Sequence, residues 1–152
     1  MLKRIAPLLI LVSLLMALFT GCAAEEATAT PEPAADVALR ITGKVDNEMA
    51  SSEEEVRAME TMEAQSTNNK GETETYTGVS INTLLELAGV QTDAATIVYV
   101  ADDGSTAEIP LADVQACEDC IVSFRTQGGF SIVMPGFPGN VQVKGVIEIQ
   151  VR

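Results

Sequence analysis

The sequence predicts an α+β fold: a single domain of mixed element order, with a mainly β core and two to three short helices. Three observations lead there. Alternating or β-branched stretches recur between residues 39 and 151, and serines stand ahead of helically spaced apolar residues at two places. The helices also fall among the strands without the regular strand–helix alternation of a parallel sheet. Residues 37–152 suffice for one core, since a domain near this size buries about two thirds of its unfolded surface.

The elements follow in order. Leu39 and Ile41 alternate with Arg40 and Thr42 in a strand that Gly43 ends. Ser52 and Glu55 have the spacing of a capping box, which predicts a helix carrying Val56 and Met59. Met62, Ala64 and Ser66 alternate with polar residues in a second strand, and Asn68 to Glu74 reads as a turn with Lys70-Gly71 at its tip. Ser80 caps the best-defined helix, whose apolar face is Ile81, Leu84, Leu85 and Ala88 and whose stop is Gly89. Thr96 to Val100 is a buried strand, Asp102-Asp103-Gly104 a tight turn, and Thr106 to Ile109 its hairpin partner. Pro110 opens a short helix running to Cys117, and strands Ile121–Arg125 and Phe130–Met134 flank a Gly128-Gly129 turn. After a Pro- and Gly-rich loop, a last alternating strand runs from Val141 to Val151.

Ahead of this domain, residues 1–21 read as a secretory leader: Lys3 and Arg4, then an apolar run from Ile5 to Phe19. Its end, Leu18-Phe19-Thr20-Gly21-Cys22, resembles a bacterial lipobox, which makes Cys22 the expected site of lipidation. Acyl chains at about 0.8 kcal/mol per buried methylene would hold the protein on a bilayer. Residues 22–36 carry Ala, Glu, Thr and Pro without a large apolar side chain, and read as a flexible tether. The expectation is an extracytoplasmic domain, residues 37–152, anchored by lipid to a bacterial membrane.

Composition excludes several functions. Nine Lys+Arg against 22 Asp+Glu give a net charge of −13, and cleavage after Gly21 would remove two cations and take it to −15. Such a chain repels phosphate backbones, so nucleic acid is not an expected partner. With no histidine, imidazole bases, imidazole zinc ligands and Ser/His or Cys/His pairs are unavailable. Cys117-Glu118-Asp119-Cys120 has the spacing of a structural disulfide, of a redox pair, or of half a metal site. Glu118 and Asp119 disfavour a reactive thiolate, and no second CxxC or His completes a zinc site. Glu53-Glu54-Glu55 lacks the alternating ligands and central glycine of a calcium loop and reads as a solvated helix start.

Three segments then carry a resemblance. They are Leu39-Arg40-Ile41-Thr42-Gly43-Lys44-Val45; Tyr76-Thr77-Gly78-Val79 with Leu84-Leu85 and Ala88-Gly89-Val90; and Val133-Met134-Pro135-Gly136 running through Val143-Lys144-Gly145 to Ile147-Glu148-Ile149. In that order, over residues 38–151, the chain resembles the sulfite oxidase-type molybdopterin-binding domain family. The resemblance implies that fold, and it implies cofactor-binding positions at Ser66, Asn69 and Lys144. Ser66-Thr67-Asn68-Asn69 falls on the family's Cys-x-Gly-Asn, so Ser66 stands in place of the molybdenum-ligating cysteine, and a serine alkoxide is far harder to form than a thiolate. Ser131 stands where the family has an arginine, and Gly145 where a tryptophan follows the lysine. The expectation is a reduced domain with no catalytic or metal-ligating residue and no cofactor, serving a binding or accessory role toward a protein partner at the cell surface. Retention of the family activity would instead make it a molybdopterin-dependent oxidoreductase or electron-transfer component. A thiol–disulfide relay through Cys117 and Cys120 is the remaining alternative.

Overall fold

The computed structural model describes residues 36–67 and 70–152; the leader, Cys22, nearly all of the tether and Asn69 lie outside the described residues. Strand β1 (Val37–Gly43) buries Leu39 and Ile41 and exposes Arg40, as its alternation requires. A short strand β2 (Met49–Ser52) pairs antiparallel with it and runs directly into helix α1 (Glu53–Arg57). The capping box is formed in full: Glu55 N–H donates to Ser52 Oγ at 3.3 Å and Ser52 N–H donates to Glu55 Oε2 at 2.7 Å. Strand β3 (Met62–Thr67) pairs along its whole length with β4 (Thr73–Ser80). Helix α2 (Ile81–Ala88) buries Ile81, Leu84, Leu85 and Ala88, and its C-cap Gly89 adopts the left-handed conformation at φ +69°.

Strands β5 (Thr96–Ala101) and β6 (Thr106–Pro110) form the expected hairpin, followed by α3 (Leu111–Gln115). Strands β7 (Ile121–Phe124) and β8 (Phe130–Val133) form a second hairpin, and a 3₁₀ turn (Gly139–Val141) precedes the last strand, β9 (Lys144–Val151). All nine strands belong to one sheet of order β2-β1-β9-β8-β7-β4-β3, with β5 also on β9 and β6 on β5. Strand β9 is its hub, parallel to β1 and antiparallel to β5 and β8. The main core holds Tyr99, Phe130, Ile149, Leu84 and Ile97, all 0–1 % exposed. Burial raises the Tyr99 phenol far above its ordinary range, and its hydroxyl donates only to Met134 Sδ at 3.7 Å.

The α+β architecture, mainly β with three short helices, is the one the sequence predicts. Three local readings need correction. Strand β2 has only Met49 as a large apolar residue and sits at a sheet edge, so its alternation is faint. Strand β4 begins at Thr73, inside the segment read as a turn, because its exposed residues gain backbone partners from β3. The last strand begins at Lys144 and not at Val141: the chain first makes the 3₁₀ turn, and Val143 lends its carbonyl to Ile132 N–H at 2.7 Å.

Cys117 and Cys120 are bonded to each other just after α3. Asn82 of α2 donates to the carbonyls of Gln115 and Cys117 at 3.3 and 3.1 Å, and Ile81 N–H donates to Cys120 O at 3.0 Å. The bridge therefore ties a knot between the two helices and the start of β7. Replacing both cysteines by alanine is expected to cost about 2 kcal/mol for so short a loop. That lowers the thermal midpoint by about 8 °C, to be read by calorimetry.

Candidate functional site

Strand pairing shapes the site. On β7 and β8, Val122, Phe124, Phe130 and Ile132 face the main core, while Ile121, Ser123, Ser131 and Val133 take the other face. That second face carries a small apolar cluster, Ala64, Ile121 and Val133, with Met62 and Tyr76 against it. Beside the cluster lies a row of small and polar residues in successive cross-strand register: Gly78 on β4, Ser123 on β7, Ser131 on β8 and Lys144 on β9.

Strand β4 pairs with β7 only from Gly78 to Ser80, opposite Ile121 to Ser123. Beyond Gly78 the β3–β4 ribbon leaves the β7–β8 hairpin, and the sheet forks. A cleft of about 620 Å³ opens in the fork. The row of serines and Lys144 lies along it, Glu74 to Thr77 border it on the ribbon side, Phe124 to Gln127 on the hairpin side, and Gln142 closes one end.

Local bonds set the two walls. The Glu74 carboxylate accepts the Tyr76 hydroxyl at 2.8 Å, and this bond, with partial burial, raises the Tyr76 phenol above its usual range. Across the fork, Arg57 of α1 pairs with Glu53 at 2.7 Å, lies over the Phe124 ring at 4.6 Å and donates to Arg125 O at 3.2 Å. Glu53 also accepts Gly129 N–H at 2.9 Å; that bond first, and Arg57 second, holds its carboxyl below the usual range. Helix α1 thus fastens the tip of the β7–β8 hairpin and fixes where Arg125 emerges.

Ser66 and Lys144 reach this same place. Ser66, half-buried on β3, donates its hydroxyl to Gln142 Oε1 at 3.4 Å, and Gln142 lines the cleft. Lys144 is exposed on the cleft rim beside Ser131. Asn69 lies outside the described residues. Gly145, at the tryptophan position, has φ +70°, a conformation that favours glycine, and a β-carbon there would stand 2.5 Å from Asp102 Oδ1, so a side chain in this bulge of β9 would be strained and would displace the Asp102 carboxylate.

The cysteine pair is elsewhere. Cys117 borders a separate concavity of about 450 Å³ lined by Asp113, Glu118, Asp119, Pro135 and Phe137, and Cys120 is fully buried. Its acidic surroundings oppose thiolate formation. No group of three or more His, Cys, Asp or Glu among the described residues could hold a metal ion.

Ser123, Arg125 and Gln142 escaped sequence reasoning. The available signal was Ser123 itself, a single hydroxyl in the otherwise apolar strand Ile121-Val122-Ser123-Phe124.

Comparison with known proteins agrees with the geometry. Residues 27–152 match the family model of the oxidoreductase molybdopterin binding domain. No curated protein sequence matches the chain. Among solved structures, the sulfane dehydrogenase SoxCD from Paracoccus pantotrophus superposes with a TM-score of 0.64 at 20 % identity, over 77 % of this chain. The chain spans 38 % of that protein's chain, and at this identity the likeness concerns the fold alone. With the family model covering residues 27–152, the chain belongs to the oxidoreductase molybdopterin binding domain family.

Proposed function

We propose that this protein is a lipid-anchored, extracytoplasmic binding domain that keeps the architecture of its family without the family's metal chemistry. It acts as an accessory to another component of the cell surface. The observation that carries the reading is the donor set of the cleft. Its described lining offers hydroxyls, an ammonium, a guanidinium, amides and one carboxylate, but no thiolate. At the position of the family's ligating cysteine, Ser66 is a neutral hydroxyl donating to an amide oxygen, the opposite of the deprotonated oxygen a metal would need. The sulfurs of Cys117 and Cys120 are spent on each other, in a different concavity. These residues do not fit a molybdenum-bearing pterin.

The anchoring half of the reading is supported by the leader and by Cys22 at the end of its lipobox-like sequence. With a net charge of −13, attachment to an anionic bilayer falls to the lipid rather than to electrostatics.

The test is metal and pterin content of the full chain, purified in detergent from a host that makes molybdopterin. Substoichiometric molybdenum and pterin are expected. One molybdenum per chain would overturn the reading in favour of a molybdopterin-dependent oxidoreductase with Ser66 and Lys144 at its cofactor.

A further inference from the structure

We propose that a groove between α2 and α3 receives an arginine side chain of a protein partner, an inference that rests on the accessory reading above and names the chemistry of that contact. The groove holds about 430 Å³ and is lined by Asn82, Leu85, Glu86, Gly89 and Val90 on the α2 side and by Gln115 at the end of α3. It shares no lining residue with the cleft at the fork.

Asn82 points to a ligand first. Its amide nitrogen donates to two carbonyls, those of Gln115 and Cys117, at 3.3 and 3.1 Å. These bonds fix which way the carboxamide faces and leave Oδ1 over, the one buried side-chain nitrogen or oxygen without a hydrogen bond among the described residues. An enclosed acceptor is unfavourable until a donor meets it. Oδ1 is closed to solvent in the free chain, so a donor reaches it only when a neighbour gives way. Gln115 can do so, being exposed and having no side-chain hydrogen bond among the described residues.

Charge sets the sign of that donor. Glu86 is the only formal charge in the described lining, and it has no ion pair among the described residues, where the salt bridges are Lys44–Asp93 and Arg57–Glu53. Glu86 and Gly89 also stand at the C-terminal end of α2, whose last turn carries no basic side chain, so the negative end of the helix dipole is uncompensated at the groove. Each of these features favours a cation, and a chain of net charge −13 draws a cationic partner toward it.

Spacing selects a guanidinium. Asn82 and Glu86 are one turn apart on α2, with β-carbons about 5–6 Å from each other. A planar guanidinium carries donors on separate edges and meets an amide oxygen and a carboxylate together, whereas an ammonium is a single point of charge. Leu85 and Val90 give the arginine methylenes an apolar wall.

The experiment is an NMR titration of the isotope-labelled full chain in detergent micelles with acetyl-Ala-Arg-Ala-amide, and with the same peptide carrying lysine or citrulline in place of arginine. Citrulline keeps the shape of arginine without its charge. Saturable shifts are expected with the arginine peptide at Glu86, Gly89, Val90 and the Asn82 side-chain amide, and the other two peptides should bind about tenfold more weakly. Glu86→Gln should weaken arginine binding about tenfold. It should not lower the thermal midpoint, because Glu86 is exposed and unpaired among the described residues. Glu118→Gln, which removes the same charge from the separate concavity beside Cys117, should leave binding unchanged. Absence of saturation, equal binding of the lysine or citrulline peptide, shifts that spare the Asn82 side-chain amide, indifference to Glu86→Gln, or equal weakening by Glu118→Gln would overturn the proposal. Molybdenum is assayed on the same sample; a stoichiometric amount would overturn the metal-free reading instead, and is read separately.

Discussion

Alanine at Gly78 is expected to cost about 3 kcal/mol and to loosen the β3–β4 ribbon from the rest of the sheet. Gly78 is the first residue of β4 paired to β7, opposite Ser123, at the point where the sheet forks. An added β-carbon would overlap the Val122 carbonyl oxygen and stand 2.7 Å from Ser123 Cα. Both are backbone atoms of the neighbouring strand, so no side chain can swing aside, and the strands themselves must part. Only three residue pairs join β4 to β7, while β3 reaches the sheet through β4 alone. Parting them removes the attachment of the ribbon and dissolves one wall of the cleft. Thermal unfolding should show a midpoint lower by about 12 °C. Amide exchange should accelerate in Met62–Ser80 ahead of β1, β5 and β9. A midpoint within about 2 °C of the unmodified protein would show that the strands absorb the methyl group without separating.

The ribbon also marks where sequence reasoning stopped. Elements written in strong local chemistry were legible: Ser52 with Glu55 around α1, Ser80 and Gly89 around α2, and Asp102-Asp103-Gly104 between β5 and β6. Each is specified by residues within one or two turns of chain. Strands β2 and β4 depend on distant partners instead. Thr73-Glu74-Thr75-Tyr76-Thr77 is exposed but for Tyr76, so alternation of burial cannot reveal it; its threonines and tyrosine were the signal, through β-propensity. The cleft divided in the same way. Ser66 and Lys144 could be named by resemblance because their neighbours in sequence carry it. The row joining Lys144 to Ser131, Ser123 and Gly78 comes from four strands whose register no local pattern contains.

Alanine at Gly43 should be the more damaging of the two glycine substitutions, at about 4–5 kcal/mol, because two separate penalties meet there. Gly43 ends β1 at φ +94°, a backbone conformation that an L side chain rarely adopts. A β-carbon on it would also overlap the carbonyl oxygen of Val151, its partner in the parallel pairing of β1 with β9. That same carbonyl accepts Lys44 N–H at 2.8 Å, so it cannot turn away without losing a bond. The pairing joins the first strand to the hub strand, and β2, which leads into α1, lies beyond β1 at the sheet edge, so strain at this junction loosens β1 and β2 from β9. The two penalties can be separated by comparison. Gly104 sits at φ +82° with nothing within 4 Å of a β-carbon, so Gly104→Ala isolates the conformational cost, about 1–2 kcal/mol. Gly78→Ala isolates the steric cost, since its φ lies outside the left-handed range. The two together set the expected size of the Gly43→Ala loss, about 4–5 kcal/mol, measured by urea unfolding. A Gly43→Ala value no larger than that of Gly104→Ala would mean that β9 yields to the methyl group, and that the parallel junction is softer than its hydrogen bonds imply.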